Sequence, residues 1–173
     1  MKKSQERSVT RLIVMGVSGA GKTTVGDAIA TALSVPFIDG DKLHSEENID
    51  KMAQGIPLTD EERWPWLDRI SQVICDLDHV VVACSALRKV YRDRLRANAG
   101  QDLAFLFLDG GSSILNLRLT TREGHFMKQS MLESQLLTLE RPIGEPLVLT
   151  CSFDDPVQRI VKQTVTWVEG IEK

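Results

Sequence analysis

The chain has 173 residues, 42% of them hydrophobic and 26% charged, with a formal net charge of −3. That length suffices for one domain whose core needs no disulfide or metal staple, and the slightly acidic balance argues against a general nucleic-acid binder. Three cysteines, Cys75, Cys84 and Cys151, lie far apart without a C-x-x-C pair, which speaks against a disulfide framework or zinc site and suits a reducing cytosol, and no apolar run approaches the ~18 residues of a membrane span.

From the N-terminus, the apolar run 11–16 reads as a strand that leads straight into Gly16-Val17-Ser18-Gly19-Ala20-Gly21-Lys22-Thr23, the spacing G-x-x-x-x-G-K-[ST]. Glycines there allow positive φ and close backbone approach, and the turn becomes a helix N-terminus whose unpaired N–H groups and dipole favour phosphate. Lys22 is suited to the β- and γ-phosphates and the Thr23 hydroxyl to Mg²⁺, with Thr24 following in the first turn; a triphosphate such as ATP is the implied ligand. Val25, Ile29, Ala32 and Leu33 fall on one face of a helix over 22–33.

The second strand, 35–39, ends in Asp39-Gly40-Asp41. A spacing of two places both carboxylates on the same side of a continuing strand, facing the phosphate loop. Asp39 then suits a Mg²⁺ shell that keeps most of its waters, and Asp41 suits accepting a proton from a substrate hydroxyl. The alternative is that both merely cap the next helix. The third strand, 79–84, ends in Cys84-Ser85 without the acid that many P-loop proteins place there for Mg²⁺, which favours Asp39 for that role. Helices are expected over 41–54, 60–77, 87–98, 111–122, 129–139 and 154–169, with Asp60 and Asp154 as N-caps, and further strands over 103–108 and 147–150. Strands alternating with helices imply an α/β fold of three layers: a five-stranded parallel sheet joined by right-handed crossovers, with helices on both faces.

Arg88 and Arg92 lie four apart and share a helix face suited to a carboxylate, although the charge-rich run to Arg96 is equally a solvated face with pairs such as Lys89 and Asp93. Arg94 and Arg96 are assigned to the surface. Arg118 and Arg122 repeat that spacing ahead of a segment at about 122–129 that contains Gly124 and His125 and reads as a small lid; the two arginines suit clamping phosphates. His125 reads either as a substrate ligand or as a structural histidine. Trp64, Trp66 and Cys84 read as packing residues.

Several blocks are more specific. Asp39-Gly40-Asp41-Lys42-Leu43-His44, Asn48 to Met52, Gly55-Ile56-Pro57-Leu58, Asp60 to Leu67, Cys84 to Arg88, Tyr91-Arg92-Asp93, Gly124 to Met127 and Ser134-Gln135 together resemble the gluconate kinase family, over about residues 11 to 141. The resemblance implies a nucleoside-monophosphate-kinase-like P-loop NTPase fold, related to shikimate kinases. It also implies a Mg-ATP cofactor, phosphorylation of the 6-hydroxyl of D-gluconate, a cytoplasmic location and a homodimer. Residue by residue it implies Gly16 to Thr24 and Arg118 around ATP, and Thr23 with Asp39 at Mg²⁺. Lys22, Asp41 and Arg122 fall to catalysis, and Asp41, His44, Arg63, Arg88, Arg92, His125 and Gln135 to the substrate. Ser45-Glu46 departs from the proline-containing step common after the histidine, Arg88 stands where lysine is frequent, and the connection from Asp68 to His79 is shorter than in many members. Rival readings are a kinase of shikimate or a nucleotide, and a nucleotide-binding switch without turnover.

Overall fold

The structure is a computed structural model that describes residues 10–121 and 129–171. Its elements run β1 (Arg11–Met15), α1 (Lys22–Leu33), β2 (Phe37–Asp39), a 3₁₀ turn (Gly40–Leu43), α2 (Glu46–Ala53), α3 (Asp60–Cys75), β3 (Val80–Ala83), α4 (Lys89–Ala99), β4 (Ala104–Asp109), α5 (Ser112–Thr121), α6 (Gln129–Thr138), β5 (Val148–Ser152) and α7 (Val157–Ile171). All neighbouring strands are parallel, in the order β2-β3-β1-β4-β5. The expected five-stranded α/β sheet is therefore present.

The side-chain alternation of β1 separates two cores. Leu12 and Val14 point into one, with Val25 and Ile29 of α1, Leu132 of α6 and Ile160 of α7. Ile13 and Met15 point into the other, with Leu67, Ile70 and Ile74 of α3 and Tyr91 and Leu95 of α4. Strands buried on both faces read as unbroken apolar runs, which is how β1, β3 and β4 appear in the sequence. Both sides of the crevice between β1 and β3, where the strand order reverses, open at the carboxyl ends of the strands, the place where α/β sheets gather ligands.

Three boundaries differ from expectation for local reasons. The segment expected as one helix over 41–54 is broken at His44, whose backbone is extended, because Ser45 caps α2 by accepting from Asn48 N. Helix α3 starts at Asp60 but is capped by Thr59 rather than by Asp60, since Thr59 and Glu62 form a reciprocal capping box. Helix α7 begins at Val157, past Asp154 and Pro156. Gly40 is demanded by proximity: a Cβ there would collide with the Ala83 carbonyl, so only glycine lets the end of β2 close on β3.

Candidate active site

The phosphate loop is shaped by backbone that side chains resist. Gly16 (φ 148°) sits against the Leu108 carbonyl, and Gly21 (φ 93°) is the left-handed N-cap from which α1 departs. Two cavities flank this loop, and Gly19 and Gly21 line both.

The first cavity gathers Ser18, Lys22 and Thr23 from the loop with Asp39, Asp41 and His44 from the end of β2. Its far wall is made by Arg63 and Trp66 of α3, Ser85 after β3, and Met131 and Gln135 of α6. Lys22 Nζ donates to the Val17 carbonyl at 3.0 Å, and Gln135 Oε1 accepts from Ser18 N at 2.7 Å, so α6 is docked on the loop. The two carboxylates do share one cavity, but not by strand alternation: β2 stops at Asp39, and the 3₁₀ turn presents Asp41 instead. Capping and chemistry also turn out to be compatible, because Asp39 Oδ1 accepts from Asp41 N at 3.1 Å and fixes that turn while the residue still lines the cavity.

His44 stacks on Trp66 with ring centroids 4.1 Å apart, and Trp66 donates from Nε1 to the Gly40 carbonyl at 2.8 Å. Burial, with the nearby Arg63 and Arg69 guanidiniums, pushes the His44 pKa down to about 4, so the ring is neutral at physiological pH. Its Nδ1 is buried without a hydrogen-bond partner among the described residues. Trp66 is therefore both core, as expected, and cavity wall. Its spacing of three from Arg63 on α3 was the available signal that the two share a face.

The second cavity is formed by Gly19 to Gly21, Thr24 and Val25 with Arg118, Phe153, Asp155 and Val157. Arg118 donates to the carbonyls of Gly19 (3.2 Å) and Phe153 (2.8 Å) and lies 5.2 Å from the Phe153 ring centroid. This pocket joins a flat aromatic and a guanidinium beside the loop, a shape suited to the nucleoside end of a nucleotide whose phosphates cross to the first cavity. Phe153 and Asp155 carry no motif and went unnoticed in the sequence. Gly16 and Val17 shape the turn from beneath and line neither cavity.

The arginine assignments need correction. Arg92 is fully buried: Nε and Nη2 grip Glu145 at 2.9 and 2.6 Å, while Nη1 donates to the Ala86 and Leu87 carbonyls and Nη2 to the Glu140 carbonyl. It has no reach to a substrate carboxylate. Arg96, expected on the surface, is also buried and shares Glu145 at 2.9 Å, whereas Arg94 pairs with Asp68 nearer solvent. Arg88 lies outside the acid-lined cavity, bound to Asp60 at 2.6 Å and Glu140 at 3.4 Å. Arg63, by contrast, is in the cavity wall. Arg122 and His125, and nearly all of the expected lid, lie outside the described residues.

Thr23 and Asp39 fit a Mg²⁺ that takes one or two protein ligands and otherwise keeps water and phosphate oxygens. An all-protein cage does not occur among the described residues, where no cluster of three or more His, Cys, Asp or Glu side chains is found.

Residues 18–145 match the shikimate kinase family model. The chain is 48% identical to the thermosensitive gluconokinase of Escherichia coli K12, covering 75% of this chain and 71% of that protein. It is 45% identical to a gluconokinase of Gluconobacter oxydans, covering 89% and 88%. The solved structure of a gluconokinase from Sinorhizobium meliloti 1021 superposes with a TM-score of 0.87 at 48% identity, over 95% of this chain and 94% of that one. Shikimate kinase from Aquifex aeolicus, at 15% identity and a TM-score of 0.63, shares the fold.

Proposed function

The chain belongs to the gluconokinase family, within the shikimate-kinase-like P-loop kinases, and from this premise we propose that it transfers the γ-phosphoryl group of ATP to the 6-hydroxyl of D-gluconate, giving 6-phospho-D-gluconate. The observation that carries the reading is one cavity lined by Lys22 and Thr23 on the donor side and by Asp41, His44 and Arg63 on the acceptor side.

The residues divide the work as follows. The loop N–H groups and Lys22 hold the phosphates, and Arg118 holds the nucleoside end. Asp41 orients the 6-hydroxyl and takes its proton as the oxygen attacks phosphorus. Neutral His44 accepts or donates a hydrogen bond to a sugar hydroxyl, and Arg63 offers its planar fork to the C1 carboxylate. Thr23 and Asp39 would hold Mg²⁺, which when bound would supply positive charge against that of the phosphates. Gln135 fixes the loop through Ser18, and Arg122 and His125 complete the site as a lid at about 122–129 closes and excludes water.

The chain acts as a single kinase domain, in the cytoplasm and as a homodimer. The three free thiols support a reducing compartment, and the dimer rests on family resemblance. A coupled assay of ADP release with D-gluconate, shikimate and nucleoside monophosphates tests the reading: gluconate alone should stimulate turnover, and stimulation by another acceptor without gluconate would sink it.

A further inference from the structure

Arg63 is a long side chain in the wall of the acceptor cavity, and left alone it would sample many rotamers and lose that freedom on binding substrate. It is not left alone. The capping box of Thr59 and Glu62 fixes the first turn of α3, and from that turn Arg63 Nη1 donates at 2.9 Å to the hydroxyl of Tyr91 on α4. Tyr91 is 2% exposed, with its ring held edge-on to Trp64 at 5.7 Å between centroids. Its hydroxyl in turn donates to Asp60 Oδ1, and the other carboxylate oxygen of Asp60 takes Arg88 at 2.6 Å. A hydroxyl that donates to a carboxylate becomes a better acceptor on its oxygen, so Asp60 strengthens the hold of Tyr91 on Arg63. Arg88 is tied onward to Glu140, which also caps α4 by accepting from Lys89 N at 2.7 Å. Neither Tyr91 nor Asp60 lines the acceptor cavity itself.

We propose that Tyr91, backed by Asp60, is a positioning residue that holds the Arg63 guanidinium in the orientation that receives the acceptor's carboxylate. It sets affinity for an acid substrate without touching it. The inference rests on the assignment of Arg63 to the acceptor carboxylate, and the experiment separates the two.

Steady-state kinetics of Tyr91→Phe, Arg63→Met and the double variant, with thermal unfolding of each, provide the test. Phe keeps the buried ring and removes only the hydroxyl. Loss of a hydrogen bond to a charged group corresponds to about a tenfold rise in gluconate KM for Tyr91→Phe, with kcat and the KM for ATP within about twofold. Asp60→Asn, on a partly exposed helix start, should move the same parameter in the same direction and guards against a misfolded Tyr91→Phe. In the double variant the Tyr91→Phe effect should vanish, because Tyr91 acts only through Arg63. If Arg63→Met raises gluconate KM while Tyr91→Phe and Asp60→Asn do not, the positioning role is overturned and the Arg63 assignment stands. Additive penalties in the double variant, or equal rises in gluconate and ATP KM, also overturn it. If Arg63→Met itself leaves gluconate KM unchanged, the assignment falls and the inference with it.

Discussion

Replacing Arg92 by methionine separates a structural arginine from a substrate-binding one. Methionine fills a similar apolar volume but donates nothing. The carbonyls of Ala86, Leu87 and Glu140 each lose a donor, Leu87 keeping the Glu140 N–H at 2.8 Å, and Glu145 retains only Arg96. Breaking a buried ion pair from one side costs about 3–5 kcal/mol, and that pair alone sets the expected Tm shift. For a chain of this size that is a fall in Tm of roughly 6–20 °C. Thermal unfolding followed by circular dichroism, paired with kinetics at a temperature where the variant stays folded, measures both arms. Gluconate and ATP KM should move little and together. A Tm within about 2 °C of the parent, with a gluconate KM raised tenfold, would refute the structural role and return Arg92 to the substrate. The cluster also carries a pH signature. Burial alone would raise the Glu145 pKa, but the hydrogen bonds from Arg92 and Arg96 outweigh it and hold the group below its usual 4.5. A depressed carboxylate contributes stability above its unfolded pKa and loses it as pH falls through the folded one. The stability gap between parent and Arg92→Met should therefore narrow below pH 4.5.

Asp41→Asn should lower kcat by about 10²–10⁴-fold while leaving ATP affinity nearly intact, since the residue acts on the acceptor; a matching loss of ATP binding in calorimetry would contradict that role. The His44 ring, depressed to about 4 by burial and by Arg63 and Arg69, should show no titration between pH 5.5 and 8 by NMR, and an inflection near 6.5 would show that it is solvated. The same depression makes stability fall as pH drops from about 6.5 toward 4, because the unfolded chain takes up the proton first.

The phosphate loop and the α/β order were legible because both are local: a fixed spacing of glycines in one case, apolar runs of strand length in the other. The acid pair is legible as a pair, but strand periodicity does not set its geometry, because the chain leaves the strand at Gly40. The roles of the arginines on α4 are not legible, because helical spacing reports a shared face but not what the face meets. Arg92 and Arg96 meet Glu145, a partner with no signal in the local pattern, whereas Arg63 sat inside a motif dominated by tryptophans. Phe153 and Asp155 were invisible for a similar reason, since they reach the loop only through the crossover that brings β5 beside β4.

The dependence of α4 on distant residues also bears on how the chain is made. Arg88, at the N-cap position of α4, provides no side-chain cap; Glu140 does, and the charge of Arg92 is matched by Glu145, 53 residues further along. A nascent chain that has emerged as far as Gly100 holds β1, β2 and β3 but has neither the cap for α4, nor the counter-charge for Arg92, nor β4 to cover the open side of β1. At about 5–20 residues per second of synthesis, residue 145 follows about 2–9 s later. β4 arrives early in that interval, but α4 lacks its cap and its counter-charge until its end, so the packing of the first half of the chain is completed only when residue 145 has been made.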